Sequence, residues 1–473
     1  MKKICTLFLS FFIVSNLFAQ GYKITFKTSG YSSGLAYLAY HMGKNYNIAD
    51  SALITASGTA IFNGTKPLIP GIYAIAFPNK TVTPDFLIDK EQQITVIADT
   101  TRMTPMVVTG SPANVIFENY QKVVNDKGLR IQQARAAFLS AKNKSDSVLH
   151  EATYNQLNDE LNDYRNKLIK DNPESMMAVL LSAMKEPNLP HKKAVSKQDS
   201  TDNYYYYKDH YWDGVTFMDE RMIRTPFFLP KLERYYRDVM PQSADSIIKD
   251  IDYKLLLARS APELYKFLLN WLTDEYLNPK YMGQDAIFVH LFNKYHSKGL
   301  SPWLNEKQME TISRRAYMQM ANLIGETAAN LRLVDSTGNV RPLYDLNGDY
   351  TVIAFWDPNC GHCKTEIPRI DSIYRATWKA QNVKIYAVNT EHDKTAWVNY
   401  IKEQKLSDWV HVYQTTEMHE AEKKSQSPSY KQLYDVIQTP TLYLLDKEKR
   451  IIGKKLTFQQ LNDLMQVKMK TKK

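Results

Sequence analysis

Two cysteines separated by two residues are the part of this sequence best suited to chemistry. Cys360 and Cys363 follow an apolar run, Thr351 to Trp356, which predicts a strand buried on both faces, and they precede a predicted helix start. The first N–H groups of a helix have no intrahelical partner and stabilise an anion placed beside them. We therefore expect Cys360 to form a thiolate, which is the nucleophile in disulfide exchange. Cys363, one turn later, is predicted to be the deeper, resolving residue.

Cysteine pairs at this spacing also occur in zinc sites and in structural disulfides. A zinc site needs four ligands, usually with a second Cys or His pair at metal-like spacing. The chain has 3 cysteines and no second pair, and its other histidines are scattered. A structural disulfide remains an alternative, but the strand-to-helix context favours redox chemistry. We predict no metal and no cofactor other than a redox-active disulfide between Cys360 and Cys363.

Three neighbours of the pair are expected to modify it. His362 places a possible cation beside the cysteines, which would favour the reduced, ionised form and raise the reduction potential. Trp356 and Pro358 are expected to shape the cleft beside Cys360.

The stretch FWDPNCGHCKTEIP, residues 355–368, resembles the active-site segment of the thioredoxin-fold proteins of the bacterial cell envelope, the group related to cytochrome-c-maturation thioredoxins. The resemblance extends from about Gly325 to the C-terminus and implies a thioredoxin fold. It also implies that the Thr439–Pro440 bond is cis, packs against the disulfide and offers backbone groups to a substrate. By the same resemblance Glu366 tunes the cysteine pair, although its position equally allows an ordinary first-turn acid stabilised by the helix dipole.

This sequence departs from the general thioredoxin pattern at one buried position. General thioredoxins carry an aspartate on the strand where this chain has Ala354. Proton transfer during exchange must then differ, through Glu366 or through water.

The N-terminus predicts export. Residues 1–19 combine a charged start, an apolar run from Ile4 to Phe18 and a small final residue, Ala19, which is the pattern of a secretory signal peptide. The run is short for a membrane span, although an uncleaved anchor remains an alternative. We predict a location in the periplasm or cell envelope. Cleavage would remove Cys5 and leave only the cysteine pair, so no structural disulfide framework is expected.

The rest of the chain predicts a multi-domain protein. Residues 20–110 read as short strands between turns and predict an antiparallel β-sandwich. Residues 111–322 show helical periods and predict a central all-α region. Residues 323–473 alternate strands and helices, which predicts a C-terminal α/β thioredoxin fold with a mostly parallel sheet. The first two regions resemble a β-domain and an uncharacterised helical domain that accompany envelope thioredoxin domains.

An aromatic cluster from Tyr204 to Phe217 lies within the helical region. It allows two interpretations, a surface that binds a peptide or glycan and an interdomain seam in which tyrosine rings are buried.

The function predicted from these observations is thiol-disulfide exchange outside the cytoplasm. The partners expected are protein thiols and disulfides, together with a membrane electron donor or acceptor. The net charge of +10 is not accompanied by a nucleic-acid motif, so no nucleic-acid partner is predicted.

Two alternatives stay open, as does the direction of electron flow. A thiol peroxidase shares the fold, but its usual threonine three residues before the reactive cysteine is replaced by Asp357. The second alternative is an envelope binding protein with a secondary redox domain. The dipeptide Gly361-His362 is that of disulfide isomerases and indicates an oxidising pair, whereas the surrounding family mostly reduces.

Overall fold

The computed structural model describes residues 21–99, 105–191, 193–391 and 394–470. The predicted signal peptide, residues 1–19, lies outside this part of the chain. Within it, no helix is long and apolar enough to cross a membrane. The chain divides into two compact units, the first reaching Met240 and including Lys254–Tyr265, and the second comprising Pro241–Tyr253 and the chain from Lys266 onward. The division falls inside the helical region, and the domain boundaries at 110 and 322 stay predictions.

Among the described residues of the first unit, eight strands form two four-stranded sheets. The strands are β1 (Tyr22–Lys27), β2 (Leu35–Met42), β3 (Asn45–Leu53), β4 (Thr59–Gly64), β5 (Gly71–Ala76), β6 (Phe86–Ile88), β7 (Gln93–Ile97) and β8 (Val107–Thr109). The strand orders are β4-β1-β7-β8 and β3-β2-β5-β6. Ile24 and Phe26 of one sheet share a buried cluster with Leu38 and Ile75 of the other, so the two sheets pack face to face as a sandwich.

The sandwich differs from the predicted one because it is not purely antiparallel. β1 and β7 run parallel, with Ile24 opposite Ile94 and Phe26 opposite Val96. Between these two strands the chain builds the whole second sheet, β2, β3, β5 and β6. A connection of that length is what parallel neighbours require, since a short hairpin joins only antiparallel strands.

Helices follow the sandwich. They are α1 (Pro112–Ser140), α2 (Lys144–Asp171), α3 (Met176–Ala183), α4 (Lys197–Asp209), α5 (Phe228–Arg234), α6 (Ala244–Leu257), α7 (Pro262–Leu277), α8 (Asp285–Lys294) and α9 (Glu306–Met320). Ser111 caps α1 by accepting a hydrogen bond from the N–H of Asn114. The Asn114 side chain exchanges two hydrogen bonds, of 2.8 and 2.7 Å, with the backbone of Leu87. The start of α1 is thereby fixed on β6.

The aromatic cluster lies in the first unit and has a buried and an exposed part. Tyr211 and Phe217 are 1% and 4% exposed, so they belong to the interior of that unit. Tyr204 and Tyr205 are 39% and 55% exposed. The ligand-binding interpretation therefore applies only to the exposed tyrosines, for which it stays a prediction.

The second unit contains a seven-stranded sheet. Its strands are β9 (Arg332–Val334), β10 (Val340–Pro342), β11 (Tyr350–Trp356), β12 (Val383–Asn389), β13 (Val410–Tyr413), β14 (Thr441–Leu445) and β15 (Ile451–Leu456). They lie in the order β10-β9-β13-β12-β11-β14-β15. The helices that accompany them are α10 (Gly361–Ile373), α11 (Lys394–Glu403), α12 (Thr416–Ser425), α13 (Tyr430–Leu433) and α14 (Phe458–Lys470).

The central strand β11 is buried along its whole length because both faces of the sheet are covered. Val352 and Ala354 belong to one buried cluster. Ile353 and Phe355 belong to another. Successive side chains of a strand point to opposite faces, so a strand between two cores must be apolar at every position. The buried strand and the α/β layering predicted for this region are confirmed.

The sheet is mixed, whereas the sequence predicted a mostly parallel one. The pairs β11–β12 and β12–β13 are parallel. The pairs β9–β10, β9–β13, β11–β14 and β14–β15 are antiparallel. A hairpin forms each edge of the sheet, and its inner strand runs against the parallel centre.

Candidate active site

Cys360 and Cys363 lie where β11 ends and α10 begins, as predicted. The turn between the two elements is closed by Asp357, whose Oδ1 accepts a hydrogen bond of 2.8 Å from the N–H of Asn359. The carbonyl of Asp357 accepts a second one, of 3.2 Å, from the N–H of Cys360. Cys360 has extended backbone angles and occupies the N-cap of α10. Its side chain is therefore attached at the N-terminal end of the helix, where a negative charge is stabilised.

The two thiols, both free, have different environments. Cys360 is partly exposed, whereas Cys363 is buried. Burial raises the pKa of Cys363 to about 12. Burial also acts to raise the pKa of Cys360, but hydrogen bonds with the Thr439 side chain and with Cys363 outweigh it, so this pKa lies below the ordinary thiol value. The accessible thiol is therefore the one that ionises first.

The loop containing Thr439 and Pro440 lies against Cys360. The Thr439–Pro440 peptide bond is cis, as the family resemblance implied. The Sγ of Cys360 lies 3.4 Å from the carbonyl oxygen of Thr439. β14 follows this loop directly and pairs with β11, with Thr441 opposite Phe355. That pairing brings the loop to the end of β11 from which the cysteine segment starts.

Trp356 and Pro358 lie below the surface, and the role expected of them in shaping the cleft beside Cys360 stays a prediction. Trp356 is 0% exposed, and Pro358 is buried as well. Trp356 belongs to the buried cluster that contains Cys363. Its ring lies 5.3 Å from the ring of Tyr400. It points to the same face of β11 as Ala354, so its contribution is to pack the core beneath the cysteine pair.

A cavity of about 540 Å³ opens beside the cis-proline loop. Its lining includes the predicted residues His362, Glu366, Thr439 and Pro440, together with Asp435 and Lys455. Its size falls in the range of cavities that hold ligand groups. Four of the predicted residues are thus brought together around one space.

Glu366 has two partners in the structure. Its Oε1 lies 3.1 Å from Nη1 of Arg369. Its Oε2 accepts a hydrogen bond of 3.2 Å from the N–H of Phe458, the first residue of α14. Glu366 thereby ties α10 to the start of α14, where a negative charge is favoured. Tuning of the cysteine pair by Glu366 stays a prediction.

Sequence reasoning missed Asp435 and Lys455. The Asp435 carboxylate is 0% exposed and is paired with both Arg315 and Lys455. Lys455 interrupts the pairing of β14 with β15 and has a positive φ of 53°. Such a bulge is usually marked by glycine, and a lysine gives no such signal. Asp435 also has a positive φ, of 46°, which aspartate tolerates better than most residues.

The described residues contain no group of three or more His, Cys, Asp or Glu side chains placed to hold a metal ion. What they do contain is a nucleophilic thiol, a second thiol within reach and a backbone carbonyl beside them. This arrangement is suited to the making and breaking of disulfides.

Comparison with known proteins gives two family matches. Residues 324–454 match the AhpC/TSA family. Residues 22–117 match a domain of unknown function, DUF4369.

Similar proteins of known sequence match about a third of the chain. The thiol-disulfide oxidoreductase ResA of Bacillus cereus is 27% identical over 146 residues, which are 30% of this chain and 77% of that protein. ResA of Geobacillus kaustophilus is 26% identical over 141 residues, which are 29% of this chain and 74% of that protein.

Solved structures were also compared. A domain of a possible thiol-disulfide isomerase from Cytophaga hutchinsonii is 34% identical, with 32% of this chain and 95% of that chain covered and a TM-score of 0.28. A thioredoxin-like protein from Bacteroides caccae is 21% identical, with 60% of this chain and 98% of that chain covered and a TM-score of 0.45. The family match and the sequence relatives together support a thioredoxin-fold thiol-disulfide oxidoreductase, with the AhpC/TSA match lying in the C-terminal part of the chain.

Proposed function

We propose that this protein exchanges disulfides with other proteins outside the cytoplasm, through the CGHC motif of residues 360–363. One observation carries the proposal. Within a single helical turn, the partly exposed thiol of Cys360 has a lowered pKa and the buried thiol of Cys363 has a raised one. The thiol of Cys360 also lies against the cis-proline loop, which lines a cavity open to a substrate.

The exchange proceeds in two displacement steps. The Cys360 thiolate attacks one sulfur of a substrate disulfide, so that a bond between Cys360 and the substrate forms and the substrate disulfide breaks. The leaving sulfur departs as a thiolate and takes up a proton. Cys363 then gives up its proton to solvent, attacks the Sγ of Cys360 and releases the second substrate sulfur, which is protonated in turn. Two electrons have passed from the protein dithiol to the substrate, and the reverse sequence oxidises a substrate dithiol.

The high pKa of Cys363 separates the roles of the two cysteines. A thiol whose pKa is about 12 is protonated at neutral pH and is a poor nucleophile. Cys363 therefore does not compete with Cys360 for a substrate. It becomes effective when the mixed disulfide holds a reactive sulfur next to it.

Protein disulfides and thiols are the proposed substrates, and a membrane electron donor or acceptor is the proposed partner that resets the pair. The signal-like residues 1–19 support export to the periplasm or cell envelope. N-terminal sequencing of the protein recovered from a periplasmic fraction tests this. A chain that starts at Met1 and stays in the cytoplasm would contradict the location.

The Cys363→Ser variant tests the proposed roles. With the resolving thiol gone, the Cys360–substrate disulfide persists, and non-reducing gels should show protein adducts that a reductant removes. The Cys360→Ser variant serves as the control and should form no adducts and no longer exchange disulfides. Trapping by neither variant, or equal trapping by both, would overturn the assignment.

A further inference from the structure

A second cavity, of about 250 Å³, adjoins the active-site cavity. Asp435, Lys455 and Leu456 line both spaces, so the two cavities are neighbours that share these side chains. Part of the lining of the second cavity comes from residues 278–283, from Asp285 and from α9, all within the second unit. The surroundings of the active-site cavity thus include residues outside the strands and helices that form the α/β fold.

We call this second cavity the basic recess, because its lining carries more cationic than acidic side chains. The charged residues are Lys280, Arg315, Lys454 and Lys455, against Asp285 and Asp435. Both acids are already neutralised. Lys454 is paired with Asp285, and Asp435 is paired with Arg315 and Lys455. A positive charge is therefore left over in the recess.

Three of the four cationic groups are more accessible than the acidic ones, the exception being Lys454, whose side chain is 5% exposed. The Lys455 side chain is 38% exposed and that of Arg315 is 15% exposed, whereas that of Asp435 is 0% exposed. Lys280 is exposed, whereas the Asp285 side chain is 7% exposed. An entering group meets the cations first. Its interaction with them is stronger than on an open surface, because the recess is partly withdrawn from water.

We infer that the basic recess is a subsite for an acidic side chain of the substrate polypeptide, near the cysteine that exchanges with Cys360. The inference rests on the proposed function, because it takes the active-site cavity as the place where the substrate chain lies. The substrate chain crosses the cis-proline loop, and its Asp or Glu carboxylate contacts Lys455 and Lys280. Substrates with an acidic residue close to their disulfide are then preferred.

Synthetic peptides test this preference. Each contains one cysteine joined by a disulfide to 2-mercaptoethanol, and the set places Glu, Gln or Lys at successive positions on either side of that cysteine. The reduced full-length protein is mixed with an excess of each peptide, and the second-order rate constant for release of the peptide thiol in this single turnover is measured at low and at high salt. Hydroxyethyl disulfide, a small neutral substrate, reports the exchange chemistry alone.

At one of these positions the Glu peptide should react about tenfold faster than the Gln peptide, which corresponds to about 1.4 kcal/mol. The Lys peptide should be slower than both, and high salt should reduce the difference. In the Lys280→Gln/Lys455→Gln variant the ratio of Glu to Gln peptide should fall below about twofold. The control variant Lys424→Gln/Lys447→Gln removes two exposed charges outside both cavities and should keep the full ratio.

The outcomes separate the inference from the function on which it rests. Equal rates for the Glu and Gln peptides at every position, or a preference that the Lys280→Gln/Lys455→Gln variant retains, would overturn the subsite while exchange itself stands. Failure to reduce hydroxyethyl disulfide would instead overturn the proposed function. Circular dichroism establishes that the variant is folded, and the single variant Lys280→Gln, which leaves the Asp435 pairs intact, provides the same comparison if it is not.

Discussion

Cys360 and Cys363 lie one helical turn apart, yet burial and hydrogen bonding shift the pKa values of their thiols in opposite directions. Because only the thiolate is alkylated at an appreciable rate, the two residues should have separate pH profiles. We expect iodoacetamide to modify Cys360 of the reduced protein with a midpoint below the ordinary thiol pKa of about 8.5. The rate at Cys363 should still be rising toward pH 12. Mass spectrometry of quenched samples assigns each site.

The Cys360→Ser variant is the control, because it reports Cys363 without a neighbouring thiolate. Removing that negative charge should lower the pKa of Cys363, since contact with Cys360 is one of the causes that raise it. Similar profiles for both cysteines of the wild-type protein would contradict the separation of roles.

At the residue scale, the sequence predicted features formed by neighbouring residues of the chain, but not contacts between residues that are far apart in sequence. The positions of Cys360 and Cys363 follow from a strand, a turn and a helix that are contiguous in the chain. Their contact with Thr439 could be inferred only from the family resemblance, because β14 brings that loop in from far along the sequence. The burial of Trp356 follows from the sequence, since side-chain alternation along β11 puts it on the same buried face as Ala354. The position of Lys455 in the cavity could not be predicted, because it depends on a β-bulge that the local sequence does not indicate.

At the scale of elements, α9 holds the segment that leads into the cis-proline loop. Arg315 of α9 pairs with the buried Asp435. Asn322, just beyond α9, donates a hydrogen bond of 2.9 Å to the carbonyl of Leu433. Both contacts fall within the few residues that precede Thr439. The position of the loop, and with it the hydrogen bonding at Cys360, therefore depends on a helix outside the α/β fold.

Substitution of Arg315 tests this dependence. Arg315→Met leaves Asp435 with Lys455 as its one charged partner among the described residues, and we expect a loss of about 2 kcal/mol in the free energy of unfolding measured by urea denaturation. The looser loop should also let the pKa of Cys360 rise toward the ordinary thiol value, as measured by thiolate absorbance. Arg314→Met, an exposed position on the same helix, is the matched control and should change stability by less than about 0.5 kcal/mol. A stability loss with no shift in the Cys360 pKa would limit Arg315 to a structural role.

Element types were predictable from sequence, but their directions were not. Apolar runs and alternation predicted the strands of both units. The parallel pairing of β1 with β7 and the antiparallel edges of the second sheet depend on which strands become neighbours. Local residue patterns do not contain that information, because an antiparallel and a parallel strand buried on the same faces have similar sequences.

For the molecule as a whole, the direction of electron flow is set by the reduction potential of the pair. A stabilised Cys360 thiolate favours the reduced form and so raises the potential. A value below roughly −250 mV would place the protein with reductases that depend on a strong electron donor, and one above roughly −180 mV with oxidants and isomerases. Equilibration in graded thiol buffers, followed by alkylation of the reduced fraction, gives this value directly.

The pH dependence of that potential is a sharper test, because it counts the protons that accompany the two electrons. Below the pKa of Cys360 reduction takes up two protons, so the potential should fall by about 59 mV per pH unit. Above it the reduced form carries one thiolate and one thiol, and the slope should halve to about 30 mV per pH unit. Because the pKa of Cys363 is about 12, no second break should occur before then. The first break should coincide with the midpoint of Cys360 alkylation. A slope that stays near 59 mV past about pH 8.5, the ordinary thiol pKa, would show that the reduced protein holds both protons and that Cys360 is not the activated nucleophile.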